Sequence, residues 1–359
     1  SWGHIVFSSS NNANGVYTIE NCTFNGVGTQ GIYINETASG ATYSILNCTF
    51  NGDFGSEGAI TIQTNKDVNH TINIKGCEFN DIPETSHRIF LAKNGEGSYY
   101  YGWTLNTDLK ASSSAEIVDF INIGVESINL SAGNYDMPTG FGMGVNLQGK
   151  NLTIKGTKET VIDVSKVDER DQFVTGANLA FEGVTLNFNT TNYMGFANYA
   201  SLTYKNCTIN GLQFAYGAGQ TVFENCDLNS NGAEHSLWTW GGQNISFTNC
   251  DFTYGDRAVN CYGEGVTTNI SFTNCNFTKV AGKPTTGAIE TNSSTLTALY
   301  LTINNCTVNE GDLWWISEWD GKGGAKTFAT VDGKIATSAA MSAAIKNGAT
   351  TINLLKGEY

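Results

Sequence analysis

The sequence has little charge, very little proline and no long apolar run. Only 14% of its 359 residues are charged and three are proline. No run reaches the roughly 18 apolar residues of a membrane helix, so we expect no membrane span. The chain is not of the disordered class, because 40% of its residues are hydrophobic. Its net charge of −14 disfavours nucleic acid and anionic membranes as partners.

Metal-binding spacing is also lacking. The nine cysteines and four histidines include no C-x-x-C pair and no histidine cluster, which are the patterns of tetrahedral sites. We therefore expect no metal site and no cofactor. The chain instead has 41 glycines and many Asn, Thr and Ser residues. Such a polar, uncharged and β-branched composition is typical of a sheet protein with many turns.

Two segments of the chain are copies of each other. Residues 114–135 (SAEIVDFINIGVESINLSAGNY) align without a gap on residues 338–359 (SAAMSAAIKNGATTINLLKGEY). Both begin with a helical pattern and continue into the alternation of a strand, and Gly348 stands where a left-handed helix cap is expected. The helices place Ile117 with Ile121, and Met341 with Ile345, on one side. We expect these pairs to cover the open end of a coil at a seam between units.

The remaining sequence is duplicated as well, with a unit of roughly 225 residues. The repeat predicts that residues 1–108 are the C-terminal half of one unit and that 109–333 form a complete unit. Residues 334–359 would then begin a third unit with its helix and first strand. The pattern indicates a segment of a longer tandem array, whose units have neighbouring units as partners.

A shorter period lies within each unit. Alternating segments of about five residues each lead into the motif N/G-C-x-[FILV], which predicts one strand and one turn per rung of a solenoid. The Asn that precedes most of these cysteines tolerates the left-handed conformation, and its side chain can hydrogen-bond from rung to rung. The motif occurs at Cys22, Cys48, Cys77, Cys207, Cys226, Cys250, Cys275 and Cys306.

These motifs carry a family resemblance. The opening segment at 114–135, the segment LQGKNLTIKGTKETVIDVS that follows and the NCTFNG rungs resemble the pectin-lyase-like superfamily. The resemblance implies an all-β fold, a right-handed parallel β-helix in tandem units, each opened by a short amphipathic capping helix. It covers essentially the whole chain but is unspecific for function, because this fold serves lyases, hydrolases, esterases and adhesins. The low charge and tandem copies most resemble adhesin-like microbial surface proteins.

The cysteines are expected to be unpaired. Stacked rungs would bring successive cysteines to about 4.8 Å, a distance that suits a disulfide. Side chains in register point the same way, however, which fits a bridge poorly. We therefore predict an inward row of free thiols that fill the core as small apolar groups.

Two aspartates form the best catalytic candidate. Asp227 and Asp251 occupy the same slot on consecutive rungs, which would place their carboxylates about 5 Å apart, as in retaining glycosidases. The alternative is that the slot points to solvent, because the equivalent slots hold Thr23 and Thr49. The intact signatures of the superfamily's lyases, hydrolases and esterases are missing. We therefore expect no catalysis and keep a polysaccharide hydrolase or lyase as the alternative.

Three further charged residues accompany this pair. Asp256 and Arg257 are adjacent, and uncharged Thr29 and Gln30 replace them in the first copy, so a surface ion pair is expected. His235 is expected to be a structural histidine that is hydrogen-bonded in a turn. In the catalytic alternative, these three residues would act with the two aspartates.

Aromatic residues suggest carbohydrate contacts. Trp238 and Trp240 share one side of a predicted strand, and with Tyr254 they are candidates for stacking on sugar rings, although a core position is equally open for the tryptophans. A second group lies just before the last predicted helix and is expected to cover the seam between units. This group is Trp314, Trp315 and Trp319.

Three classes of function remain from the sequence. The chain would be an adhesin or stalk that binds glycans, a polysaccharide-active enzyme, or a fibre whose units bind only each other. Tandem copies with variable polar faces favour the first and third classes. Either implies an extracellular or cell-surface location.

Overall fold

The computed structural model describes residues 3–8, 14–35, 40–63, 69–83, 85–91, 103–123, 125–137, 147–165, 174–188, 195–211, 213–216, 219–231, 235–240, 244–262, 267–280, 287–292, 298–309, 316–318, 326–357 and 359. The chain divides into two compact units, Ser1–Ser131 and Ala132–Tyr359. This packing boundary lies after the predicted repeat boundary at 108, because the helix that follows packs onto the preceding rungs. The boundaries of the repeat itself stay a prediction.

The first unit consists of short parallel strands and one helix. Its elements are β1 (Ile5–Ser8), β2 (Val16–Glu20), β3 (Thr23–Asn25), β4 (Ile32–Asn35), β5 (Thr42–Leu46), β6 (Thr49–Asn51), β7 (Ile60–Ile62), β8 (Thr71–Lys75), β9 (Glu78–Asn80), β10 (Ile89–Leu91), β11 (Thr104–Thr107), β12 (Lys110–Ala111), α1 (Ser114–Ile123) and β13 (Ser127–Leu130). The sheets have the orders β1-β4-β7-β10, β2-β5-β8-β11 and β3-β6-β9, and β12 pairs with β13. Every third strand is therefore a neighbour, as in a coil with three strands per turn.

The second unit repeats this arrangement over more rungs. Its elements are β14 (Gly133–Asp136), β15 (Asn151–Lys155), β16 (Thr160–Asp163), β17 (Asn178–Glu182), β18 (Thr185–Asn187), β19 (Ser201–Lys205), β20 (Thr208–Asn210), β21 (Gln213–Tyr216), β22 (Gln220–Glu224), β23 (Asp227–Asn229), β24 (Leu237–Trp240), β25 (Asn244–Thr248), β26 (Asp251–Tyr254), β27 (Val259–Tyr262), β28 (Thr267–Thr273), β29 (Asn276–Lys279), β30 (Ile289–Asn292), β31 (Ala298–Asn304), β32 (Thr307–Val308), β33 (Ile316–Glu318), β34 (Thr327–Val331), β35 (Lys334–Ile335) and α2 (Ser338–Lys346).

Three parallel sheets line the coil of the second unit. We call β15-β17-β19-β22-β25-β28-β31-β34 the long sheet, β14-β16-β18-β20-β23-β26-β29-β32 the middle sheet and β21-β24-β27-β30-β33 the short sheet. Strand β35 pairs antiparallel with β34 and ends the long sheet. The predicted parallel β-helix is confirmed.

Alternation decides which side chains enter the core. In β25, Ile245 and Phe247 are buried, whereas Asn244 is exposed. The inward aromatic rings of successive rungs stack with centroid distances of 4.6 to 5.6 Å. This stack is Phe181, Tyr204, Phe223, Phe247 and Phe272. Such pairs add about 1 kcal/mol each to the burial of their apolar area, so the stack ties the rungs together.

Asparagines make the turn between the long and middle sheets. They have φ between 51° and 55°, and the Nδ2 of each one after the first donates to Oδ1 of the asparagine one rung before at 2.8 to 3.1 Å. The residues are Asn206, Asn225, Asn249, Asn274 and Asn305. Both parts of the prediction, the left-handed conformation and the rung-to-rung hydrogen bond, are confirmed.

The cysteines that follow these turns are free, as predicted for all nine. The Sγ of Cys226 donates to Glu224 O at 3.3 Å and to Tyr204 O of the preceding rung at 3.4 Å. Six of the nine cysteines are buried. The other three, Cys22, Cys77 and Cys306, are half-buried.

The two helices differ in how much they bury. In α1, Ile117 and Ile121 are 1% and 2% exposed and the helix packs on β10 and β11, while their place at a seam between units stays a prediction. At the start of the helix, Ser113 Oγ accepts from Glu116 N as an N-cap. Helix α2 packs on β34 and ends before Gly348 at φ 79°. Ile345 is 58% exposed and Met341 is half-buried, and the seam predicted for this pair stays a prediction.

Candidate functional site

The two candidate aspartates are neighbours on an exposed position of the middle sheet. Asp227 opens β23 and Asp251 opens β26, and the two residues pair in register. Both side chains are exposed. Asn276 on the next rung donates from Nδ2 to Asp251 Oδ1 at 2.7 Å, and Thr208 precedes Asp227 in register. The predicted stacking is present, in a slot that faces solvent.

The basic candidates lie before strands of a different sheet. His235 precedes β24 and Arg257 precedes β27, both in the short sheet. Both residues are buried, at 2% and 8% exposed. The aspartates and the bases therefore differ both in sheet and in access to solvent.

Arg257 forms a buried ion pair that the sequence analysis missed. Its Nη1 lies 2.9 Å from Oε2 of Glu290 on β30. The sequence predicted a surface ion pair between Asp256 and Arg257. For Arg257 this prediction is wrong, because the residue is buried. A buried guanidinium requires a buried counter-charge. Asp256 itself is half-buried. The sequence did not point to Glu290, because this residue lies on the next rung, far from Arg257 along the chain.

His235 packs against a ring instead of making the expected hydrogen bonds. Neither ring nitrogen has a hydrogen-bond partner in the part of the chain that the structure describes. Its centroid lies 5.5 Å from that of Trp238 in a T-shaped arrangement. Burial, and then the positive charge of Arg257, lower the pKa of His235 to about 3. The imidazole is thus neutral at pH 7 and is unsuited to act as a general acid.

The candidate sugar contacts separate into different environments. Trp238 is half-buried on β24, and its register neighbours are Asn260 and then Glu290, both buried. Tyr254 is 2% exposed, so its ring offers no surface to a ligand, which corrects the prediction for that residue. It lies at an inward position of β26, where the alternation continues. Trp240 belongs to β24, but its side chain lies outside the described residues, as do Trp314, Trp315 and Trp319 entirely.

A second group of polar residues and one exposed ring lies on the outer face of the long sheet. A groove of about 220 Å³ runs across β22, β25, β28 and β31 and is lined by Gln220, Asn244, Asn269 and Tyr300. Tyr300 is 48% exposed, and its ring stacks on Phe328 at 5.1 Å. The sequence analysis singled out none of these residues. A comparison of the residue six places before each cysteine motif would have found them.

The described residues include no group of three or more His, Cys, Asp or Glu side chains that could hold a metal ion. Within the same ranges, neither helix has the length and apolar character required to cross a membrane. Comparisons with protein-family models, curated proteins and solved structures give no match to this chain.

Proposed function

We propose that this chain is a glycan-binding segment of an extracellular or cell-surface β-helix, an adhesin or stalk without catalytic activity. Membership of the pectin-lyase-like superfamily is part of this proposal and is supported by the rung motifs and the parallel coil. Further units of the same array are its proposed neighbours.

The observation that carries the proposal is the separation of the candidate acids from the candidate bases. Hydrolysis or elimination needs at least two groups fixed around one bond. Asp227 and Asp251 face solvent on the middle sheet, and the Oδ1 of Asp251 already accepts from Asn276. His235 and Arg257 are buried in front of the short sheet. Binding requires no such convergence, and weak sites on many rungs can add up through multivalency.

Trp238 supports a carbohydrate ligand. The residue is half-buried on the short sheet, and its register neighbours lead to Glu290, which pairs with Arg257. Tryptophan suits stacking on the C–H face of a sugar ring, and the part of Trp238 that solvent reaches is the proposed contact.

The alternative function is a polysaccharide hydrolase that uses the Asp227 and Asp251 carboxylates. Their register, with strands about 5 Å apart, is the one observation in its favour.

The test measures binding and turnover with the full chain. Pectin, polygalacturonate and neutral plant and bacterial polysaccharides would be offered with and without calcium, and new reducing ends and released methanol would be quantified. We expect binding of at least one polymer, weakened in Trp238→Ala and retained in Trp238→Phe, without product. Product formation that Asp227→Asn abolishes would overturn the proposal in favour of the hydrolase.

A further inference from the structure

The groove on the long sheet of the second unit has an uncharged polar lining. Gln220, Asn244, Asn269 and Tyr300 stand in register on four successive strands, all on the outer side. A parallel row of small residues, Ser246, Ser271 and Thr302, forms the floor beside them. Small side chains between longer ones leave a channel along the stacking direction of the rungs.

The amides in this groove keep most of their hydrogen-bonding capacity. Asn269 donates from Nδ2 to Asn244 Oδ1 at 2.9 Å. Among the described residues, this is the only hydrogen bond that either side chain makes. Each amide has two donor hydrogens and two acceptor lone pairs. The remaining groups, together with the hydroxyls of the floor, match the alternating donors and acceptors of sugar hydroxyls.

Tyr300 supplies a fixed ring at one end of the groove. Phe328 lies behind it in register, with the two rings inclined by 21°. This stack holds the tyrosine ring in place, so a ligand would not have to order it first. An aromatic ring beside amides and hydroxyls is the combination that recognises a pyranose, whose C–H face stacks while its rim forms hydrogen bonds.

The charges around the groove select against an ionic ligand. The described residues that line the groove are all uncharged, and on the same sheet Lys205 and Glu224 form a pair whose Nζ and Oε1 lie 3.4 Å apart. The chain as a whole carries −14, which would repel an acidic polysaccharide at long range. An uncharged ligand avoids this repulsion. It also brings no charge into a groove that has no ionised side chain in its described lining to pair with it.

We propose that this groove binds an uncharged polysaccharide whose sugars lie over successive rungs, with one ring stacked on Tyr300. The inference rests on the proposed glycan-binding function but assigns a site on a different sheet from Trp238.

The first unit shows that the fold does not require these residues. Val16, Thr42 and Thr71 stand six residues before Cys22, Cys48 and Cys77, as Asn244, Asn269 and Tyr300 do before their own cysteines. Strands β2, β5 and β8 form the same parallel sheet with those small residues. The rungs of this fold therefore form without amide side chains or an aromatic ring at these positions.

The test is affinity electrophoresis of the full chain in gels that contain one neutral polysaccharide each, namely glucan, galactomannan or arabinoxylan, with polygalacturonate as the acidic comparison. We expect retardation by at least one neutral polymer, unchanged between about 50 and 500 mM salt. Tyr300→Ala should weaken it about tenfold, Asn269→Ala should weaken it less, and Tyr300→Phe should retain it. Thr71→Ala, at the equivalent position of the first unit, is the matched control and should bind as the parent does.

The outcomes separate this inference from the proposed function. Binding that Tyr300→Ala leaves intact and Trp238→Ala abolishes would overturn the groove and leave the glycan-binding function standing. Binding of polygalacturonate alone would also overturn the groove. A chain that binds none of the polymers would overturn both. Circular dichroism of each variant would confirm that the coil remains folded.

Discussion

The Nη1 of Arg257 lies 2.9 Å from the Oε2 of Glu290, and these side chains are only 10% and 3% exposed. The two residues belong to successive rungs of the short sheet, so their attraction acts along the axis of the coil. Removing one partner leaves the other charge buried without compensation, which is more costly than the pair is favourable.

Glu290→Gln is therefore expected to lower the free energy of unfolding by about 3 kcal/mol, measured by urea denaturation. The matched control is Glu224→Gln, which breaks the pair with Lys205, where both side chains are more than 40% exposed. That change should cost less than about 1 kcal/mol because water screens the pair. Equal losses in the two variants would show that the Arg257 pair is not buried in solution.

The asparagine turns predict opposite responses to Gly and Ala at two positions. Asn249 has φ 54° and bonds to asparagines on both sides. Asn249→Gly should be more stable than Asn249→Ala by about 1 kcal/mol, because alanine pays for the left-handed conformation. At Asn229, the last residue of strand β23, the order should reverse, since glycine weakens a strand. Thermal unfolding of the four variants measures both differences, and the same order at both positions would refute the role of φ.

The thiol rows predict a graded reactivity. In native protein, a thiol reagent should modify the half-buried Cys22, Cys77 and Cys306 first. Buried thiols should react slowly, as at Cys261, where burial raises the pKa of the thiol. After unfolding in urea without reductant, all nine should react, and peptide mass mapping identifies the order. Fewer than half reacting after unfolding would mean that disulfides have been missed.

Helix α1 predicts a pH dependence of stability. Burial, and then the negative charge of Glu116, raise the pKa of Asp119 to about 7, against about 3.9 in an unfolded chain. The folded state thus holds the proton more tightly, so this residue makes the protein less stable as pH rises from about 4 to 7, with no further change above.

Asp119→Asn should remove this pH-dependent loss of stability, because an amide does not ionise. Its free energy of unfolding should exceed that of the parent by roughly 2 to 4 kcal/mol at pH 8, with little difference at pH 4. Urea unfolding at several pH values measures the difference between parent and variant. Asp227→Asn, at an exposed strand position, controls for the loss of one negative charge. A difference that does not change between pH 4 and pH 8 would contradict the raised pKa.

The sequence predicted the coil well because its rules are local. The two-residue alternation around Phe247 and the left-handed turn at Asn249 depend only on neighbours in the chain. The burial of Ile117 and Ile121 on one side of α1 followed from helical spacing for the same reason. Ile345 has that spacing too, but exposure depends on which strands lie opposite, and only β34 of the described strands packs closely on α2.

The site was predicted less well because its contacts connect rungs. Arg257 and Glu290 are brought together by the pairing of β27 with β30, which connects residues that are far apart in the sequence. Tyr300 looked like one aromatic among many, and only its stacking on Phe328 and its alignment with Asn269 show its position. Burial of Tyr254 escaped notice because β26 continues its alternation two residues beyond the motif.

The most direct measurement is size-exclusion chromatography with light scattering of a neutral polysaccharide after prolonged incubation with the full chain. One elution profile reports both whether protein co-elutes with the polymer and whether the molar mass of the polymer has changed. Binding without catalysis predicts that the protein moves to the polymer peak and that the polymer keeps its mass. A polymer that loses mass with the parent chain, and keeps it with Asp227→Asn, would contradict the proposed function.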